Sequence, residues 1–195
     1  VQTTSTIPLR PRLQRGNIAR EVFETILLIG LTYTLVNLAS VRFFIEGPSM
    51  QPSFHNDQYL IVSRIHYLID SPHRGDVVVF DAPGDDEQAQ NPLLIKRLIG
   101  MPGETITFRE GQLYIDGQLM NEPYIKELCT SGTCQDRTWE VGAGQYFLMG
   151  DNRNNSRDSR VFGTVTKDRI IGEAIIRYWP PQDWGSIVRY RYPEG

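Results

Sequence analysis

Three segments of this sequence carry side chains able to do chemistry. The first holds Ser49, in Ile45-Glu46-Gly47-Pro48-Ser49-Met50-Gln51-Pro52, where a strand-like run over Arg42–Ile45 breaks at Gly47-Pro48. A serine at a sharp turn out of a strand opens onto a cleft, and a neighbouring glycine lets a bound backbone come close. The same residue also reads as an ordinary turn serine. The second segment holds Lys96. Of 20 basic residues only Lys96, Lys126 and Lys167 are lysines. Lys96 lies in Leu93-Leu94-Ile95-Lys96-Arg97-Leu98-Ile99, where strand alternation sets it on one face with Leu94 and Leu98 and turns Arg97 to the other. An amine on an apolar face is costly to charge, so its pKa falls and it can act as a general base. The bland alternative is a strand lysine whose stem covers apolar surface while its head reaches water. The third segment, Met149 to Arg160, packs small polar and charged residues behind the strand-like Tyr146–Met149. It can orient a side chain and hold itself through Asp–Arg pairs, or it is a solvated surface loop. His55, His66 and His73 lie in polar, loop-like surroundings and read as solvated.

Short strands must position these residues. Tyr59–Val62, Asp76–Phe80, Leu93–Ile99, Thr105–Phe108, Gln112–Ile115, Tyr146–Met149 and Ile170–Tyr178 have strand length and are rich in β-branched or aromatic residues. Asp116-Gly117 between Leu113-Tyr114-Ile115 and Gln118-Leu119 signals a two-residue hairpin turn. Pro83 to Pro92 is acidic and reads as an exposed loop, and Glu127 to Gly144 as a second irregular insertion. Cys129 and Cys134 lie inside that insertion, where a small disulfide, a pair of free thiols or, less naturally, a metal site are the options.

The stretch from Val22 to Val41 has a different character. It is apolar apart from Glu24, Thr25, Thr32, Thr34, Asn37 and Ser40, and about 20 residues suffice to cross a hydrocarbon core. A transmembrane anchor and a buried core helix are the two readings, and no other helical core is evident to bury it. Arg10, Arg12, Arg15 and Arg20 precede the stretch, whereas Arg42 alone follows closely. The positive-inside rule therefore assigns 1–21 to a cytoplasmic or stromal tail, 22–41 to the anchor and 42–195 to a β-rich domain on the opposite side. An uncleaved anchor is expected rather than a secretory signal, because no small-x-small site separates it from the domain. The sequence opens on Val1 without Met, as expected where preceding residues are missing or processed.

The length of 195 residues fits one ordinary domain, and 40% hydrophobic with 22% charged residues is a globular balance. A net charge of −3 argues against nucleic acid as a partner. Two cysteines exclude a disulfide-dense scaffold, and neither a His-Glu-x-x-His nor a nucleotide-binding glycine motif occurs. No cofactor and no metal are expected.

Taken in order, Gly47 to Pro52, Arg74 to Phe80, Lys96 to Glu104 and Gly150 to Arg160 resemble the four motifs of the type I signal peptidase family. The resemblance runs from the anchor to Trp179 and is nearer to cyanobacterial, thylakoidal and Gram-positive members than to the larger two-anchor enzymes. It implies a mainly β, signal-peptidase-like domain behind one N-terminal transmembrane helix, in a plasma or thylakoid membrane. It implies a membrane-bound serine endopeptidase that removes signal peptides from translocated preproteins after small residues. Ser49 matches the nucleophile, Lys96 the general base, and Ser156 the serine that orients the lysine amine. Asp158 with Arg160, and Asp151 with Arg97, match supporting ion pairs, and Met50 a residue lining the site. Some members carry a serine where this sequence has Gly47; the Ser49 N–H then remains as an oxyanion donor, and loss of one such donor costs about 3 kcal/mol. About 28 Å of extended chain at most separates Val41 from Ser49, so the serine stays near the membrane. Phe43, Phe44, Met50 and Phe54 are candidates for contact with lipid, or for the core. A self-cleaving repressor-type domain would need a DNA-binding segment, and an inactive peptide-binding module would lack Ser49 or Lys96; neither condition is met.

Overall fold

The first described element of this chain is a helix that carries no charge from Thr25 to Ala39, so this stretch has no charged face to turn to water. The computed structural model describes residues 15–83, 93–130 and 132–192. Residues 1–14 of the expected tail 1–21 and nearly all of the expected acidic loop 83–92 lie outside the described residues. Two compact units result, one ending at Leu38 and one starting at Ala39.

The first unit is helix α1, Arg15–Ala39. Its segment Ile18–Ala39, 22 residues, is long and apolar enough to cross a membrane. Glu24 and Asn37 do not break it. Arg20 Nε bonds Glu24 Oε1 one turn away at 2.7 Å, and Asn37 Nδ2 donates to the Tyr33 carbonyl at 2.9 Å. Thr25 and Thr34 likewise return their hydroxyls to the carbonyls of Glu21 and Gly30. Polar groups satisfied within the helix carry a smaller penalty in hydrocarbon.

The second unit is built on strands. They are β1 (Ser40–Phe44), β2 (Tyr59–Ser63), β3 (Val77–Asp81), β4 (Leu93–Gly100), β5 (Thr105–Arg109), β6 (Gln112–Ile115), β7 (Gln118–Leu119), β8 (Arg137–Glu140), β9 (Gln145–Met149), β10 (Val165–Thr166), β11 (Ile170–Trp179) and β12 (Gly185–Ser186). Two one-turn helices, α2 (His66–Ile69) and α3 (Ser159–Phe162), interrupt them. One sheet runs β1-β2-β11-β3-β4-β9-β10 with β12 on β11, and a smaller one runs β7-β6-β5-β8. All pairings are antiparallel. Asp116 and Gly117 take φ of 48° and 82°, the positive values a two-residue turn demands, and join β6 to β7.

Alternation sorts the core. In β3, Val77 and Val79 pack with Ile45, Met50, Phe54 and Ile95, whereas Val78 and Phe80 pack with Leu98, Leu148 and Val165. A third cluster fills the space under the smaller sheet, around Ile99, Phe108, Leu113, Phe147 and Met149. Strand β4 contributes Ile95, Leu98 and Ile99 to three different clusters, so it is buried on both faces. Lys96 stands opposite Val78 and Arg97 opposite Val77, which puts the two basic residues on opposite faces as alternation requires.

Three sequence expectations need correction. The insertion 127–144 is not wholly irregular: Arg137–Glu140 forms β8 as an edge strand on β5. Its pattern is masked because only Trp139 turns partly inward. The first strand after the helix begins at Ser40 and not at Arg42, so the helix ends before Val41. His66 starts α2 instead of lying in a loop.

Candidate active site

Ser49 is held by the chain on both sides of it. Ile45 is buried, with its N–H on the Gln58 carbonyl, and Gly47 takes φ of 90°, a value L residues rarely adopt. The Phe54 N–H returns to the Met50 carbonyl. From far along the sequence, Asn152 closes the turn: its N–H donates to the Ser49 carbonyl at 3.0 Å and its Nδ2 to the Pro48 carbonyl at 3.1 Å. Gly150 lies against the same carbonyl, where a Cβ would overlap Ser49 O and Ser156 Oγ. Among the described residues the Ser49 N–H makes no backbone hydrogen bond.

Lys96 reaches this turn from the middle of β4. Its side chain is buried, with Nζ 2.7 Å from Ser49 Oγ and 2.8 Å from the Ile95 carbonyl. Burial is the main cause that lowers its pKa, to about 8; Asp158 and Asp151 oppose that shift and Arg160 assists it. Ser49 and Lys96 share a cleft of about 170 Å³ with Phe43, Phe44, Glu46, Leu93, Leu94 and Ile95. The residues of β4 that face this cleft have no β9 partner, since that pairing begins at Arg97.

Two Arg–Asp pairs flank the amine. Arg97 grips Asp151 with Nε at 2.8 Å and Nη2 at 2.6 Å, donates to the Gly75 carbonyl and stacks on Tyr124 at 4.2 Å. Arg160 grips Asp158 with Nε and Nη2, both at 2.8 Å. Burial pushes the Asp158 carboxyl up, but Arg160 and the Gly150 N–H outweigh it and hold the pKa below the usual carboxylate range. Arg160 Nη1 also meets Cys134 Sγ at 2.8 Å and Cys129 Sγ at 3.3 Å, and those cysteines are joined as a disulfide.

Two expected roles are not seen in the geometry. Ser156 Oγ does not bond Lys96: it is buried without a hydrogen-bond partner, beside an Asp158 carboxylate whose ionisation it favours. Met50 does not line the cleft. It is 1% exposed and packs in the core with Ile45, Phe54 and Val79. The histidines take no part, since His66 and His73 sit by Asp70 and Glu173.

Sequence reasoning assigned no role to Asn152 or to Arg153, which is fully buried on Glu122 through two bonds of 2.6 Å and donates to the Gly150 carbonyl. The only signal was their place in the polar segment after β9; the partners are too remote in sequence to read.

Residues 18–179 match the family described as signal peptidase, peptidase S26. The chain is 36% identical over 197 residues to Signal peptidase I of Leptolyngbya laminosa, covering 95% of this chain and 93% of that protein. It is 36% identical over 172 residues to Probable signal peptidase I-1 of Synechocystis sp., covering 83% and 86%. With Signal peptidase I U of Bacillus subtilis it shares 35% over 182 residues, covering 90% and 94%.

Two substitutions separate support from lining. Asp151→Ala leaves Arg97 buried without its carboxylate and is expected to lower stability by about 3–5 kcal/mol in denaturant titration. Met50→Ala opens a core cavity and is expected to cost about 2–5 kcal/mol in the same measurement; a Met50 that only lined the cleft would leave stability unchanged.

Proposed function

This chain belongs to the signal peptidase (peptidase S26) family of serine endopeptidases, and from that premise we propose a Ser–Lys mechanism in which Ser49 is the nucleophile and Lys96 its general base. The observation that carries the proposal is the 2.7 Å contact between a buried lysine amine and the serine hydroxyl. In the neutral amine, Nζ has a lone pair and takes the Ser49 proton as Oγ attacks the scissile carbonyl carbon. The ammonium so formed gives its proton to the leaving amide nitrogen, and an ester remains on Ser49. Water then attacks that ester, again losing a proton to Lys96, and the serine is regenerated. The Ser49 N–H serves as one donor to the oxyanion. Ser156, whose buried hydroxyl makes no complete hydrogen bond, is the proposed orienting group for the amine.

The substrates of this reading are signal peptides of translocated preproteins. An extended segment adds to the part of β4 that lacks a β9 partner, through backbone hydrogen bonds. Phe43, Phe44, Leu94 and Ile95 crowd a cleft of about 170 Å³, which favours small side chains next to the cut. Helix α1, the one segment among the described residues long and apolar enough to span, is the membrane anchor in this reading, with the arginine-rich tail on the cytoplasmic or stromal side and residues 42–195 on the other.

Incubating a secretory precursor with detergent-solubilised protein tests the assignment. Wild type is expected to release one cleaved product after a small-x-small triplet, by intact mass, and Ser49→Ala and Lys96→Met to release none. Equal cutting by Lys96→Met would remove that lysine as the base.

With the amine at about 8, roughly one tenth is neutral at pH 7, so kcat/KM should rise through pH 8 and level off above it. A rise centred near 6.5 that survives in Lys96→Met would assign the proton to a histidine.

Stability also rises with pH, over the interval above the folded pKa. A folded pKa below the unfolded value of 10.5 means that the charged amine destabilises the fold fully below pH 8 and ceases to do so as pH rises from about 8 to 10.5. Lys96→Met should therefore be more stable than wild type at pH 7, by on the order of 3 kcal/mol less the hydrogen bonds lost. That gap should close across the same interval in thermal melts.

A further inference from the structure

The cleft that holds Ser49 and Lys96 is walled mostly by apolar side chains, and among the described residues Glu46 is its one acidic member. Glu46 is exposed, and among the described residues no hydrogen bond or ion pair engages its carboxylate. The strand that leads to it sets its direction. Val41 and Phe43 pack against the core cluster that contains Ile45, itself 1% exposed. Pairing continues past β1, because the Ile45 N–H donates to the Gln58 carbonyl at 2.9 Å and the Ile45 carbonyl accepts from the Asp57 N–H at 3.1 Å. Alternation therefore turns Val41, Phe43 and Ile45 inward, and Phe44 and Glu46 outward. Phe44 stands opposite Tyr59 with ring centroids 4.8 Å apart, an apolar shelf two residues from Glu46 on the same face.

A bound chain has an alternation of its own. Strand β1 is the last in its sheet, so one of its edges has no strand partner, and β4 has no β9 partner before Arg97. Residues of both edges line the cleft with Ser49, so an extended segment laid along them runs past Glu46. When the small residues one and three before the cut turn into the cleft, the residue between them must turn outward. Side chains on one face of neighbouring strands meet, and on this face the substrate residue meets Glu46.

We propose that Glu46 selects the charge of the substrate residue two before the cut, favouring Lys or Arg there and disfavouring Asp or Glu. A long basic side chain lays its apolar stem on Phe44 and Tyr59 and brings its charged end to the carboxylate. An acidic side chain in the same place meets a like charge. Both partners are open to solvent, so the preference is modest and weakens with salt. The inference rests on the proposed function, since it takes a chain bound for cutting at Ser49.

The test uses precursors identical but for Lys, Gln or Glu at the middle position of the small-x-small triplet. Each is given to detergent-solubilised wild type, Glu46→Gln and Glu46→Lys, and kcat/KM is read relative to the Gln precursor for each protein. Wild type is expected to prefer Lys over Glu by about three- to tenfold at low salt, and to lose most of that preference at high salt. Glu46→Gln should flatten the ranking and Glu46→Lys should invert it. A wild-type ranking that ignores charge overturns the proposal, and so does a preference that survives in Glu46→Gln. The affinity of Ser49→Ala for the same three segments gives the ranking without any cutting. Failure of wild type to cut any precursor would therefore count against the Ser–Lys reading, while the affinities still decide the role of Glu46.

Discussion

A buried lysine is useful as a base only while nothing nearby makes its charged form cheap. Lys96 lies among two carboxylates, Asp151 and Asp158, each of which acts to restore the ammonium. Both are occupied. Arg97 holds Asp151 with two hydrogen bonds and Arg160 holds Asp158 with two more, so burial prevails and the pKa falls. The arginines thereby do more than stabilise the fold: they keep a polar loop next to an amine without giving the amine a counter-ion. Arg160 also acts on Lys96 directly, since its charge helps to lower the proton affinity of the amine.

The fold is arranged to bring a turn and a strand together at that point. Strand β4 runs through three core clusters, which leaves the Lys96 stem no freedom to seek water. Ser49 is carried on a turn that β1 delivers and that Asn152 clamps from the loop after β9, through both its backbone and its side chain. The same loop is pinned by Arg153 to Glu122 and, through Arg160, to the disulfide at Cys129 and Cys134. In the proposed mechanism the serine and the amine are therefore positioned before substrate arrives, which is where such chemistry draws much of its rate.

What was legible in the sequence follows from how locally each feature is encoded. The β-branched runs of β3, β4 and β11 and the Asp116-Gly117 turn report their own conformation, and an apolar stretch of spanning length reports α1. Ser49 and Lys96 were legible as residue types in unusual settings, and their order along the chain carried the family resemblance. The Asn152 clamp was not, because its partners are 104 residues or so away and are carbonyls that any sequence supplies. Met50 packs in the core and does not line the cleft; it shares a turn with the half-buried Ser49, and only packing shows which side of that turn each takes. The edge strand β8 and the helix α2 were missed for a related reason: both carry outward residues that blur the periodicity.

The central claim is that the Lys96 amine gives up its proton near pH 8, well below the ordinary lysine value of 10.5. Lysine enriched in carbon-13 at Cε, titrated by NMR in detergent, reads that directly, with Lys96→Met assigning the resonance. One lysine signal moving with a midpoint near 8 and missing from Lys96→Met is the result the account predicts. A Lys96 signal that titrates at the ordinary value of 10.5 would contradict it.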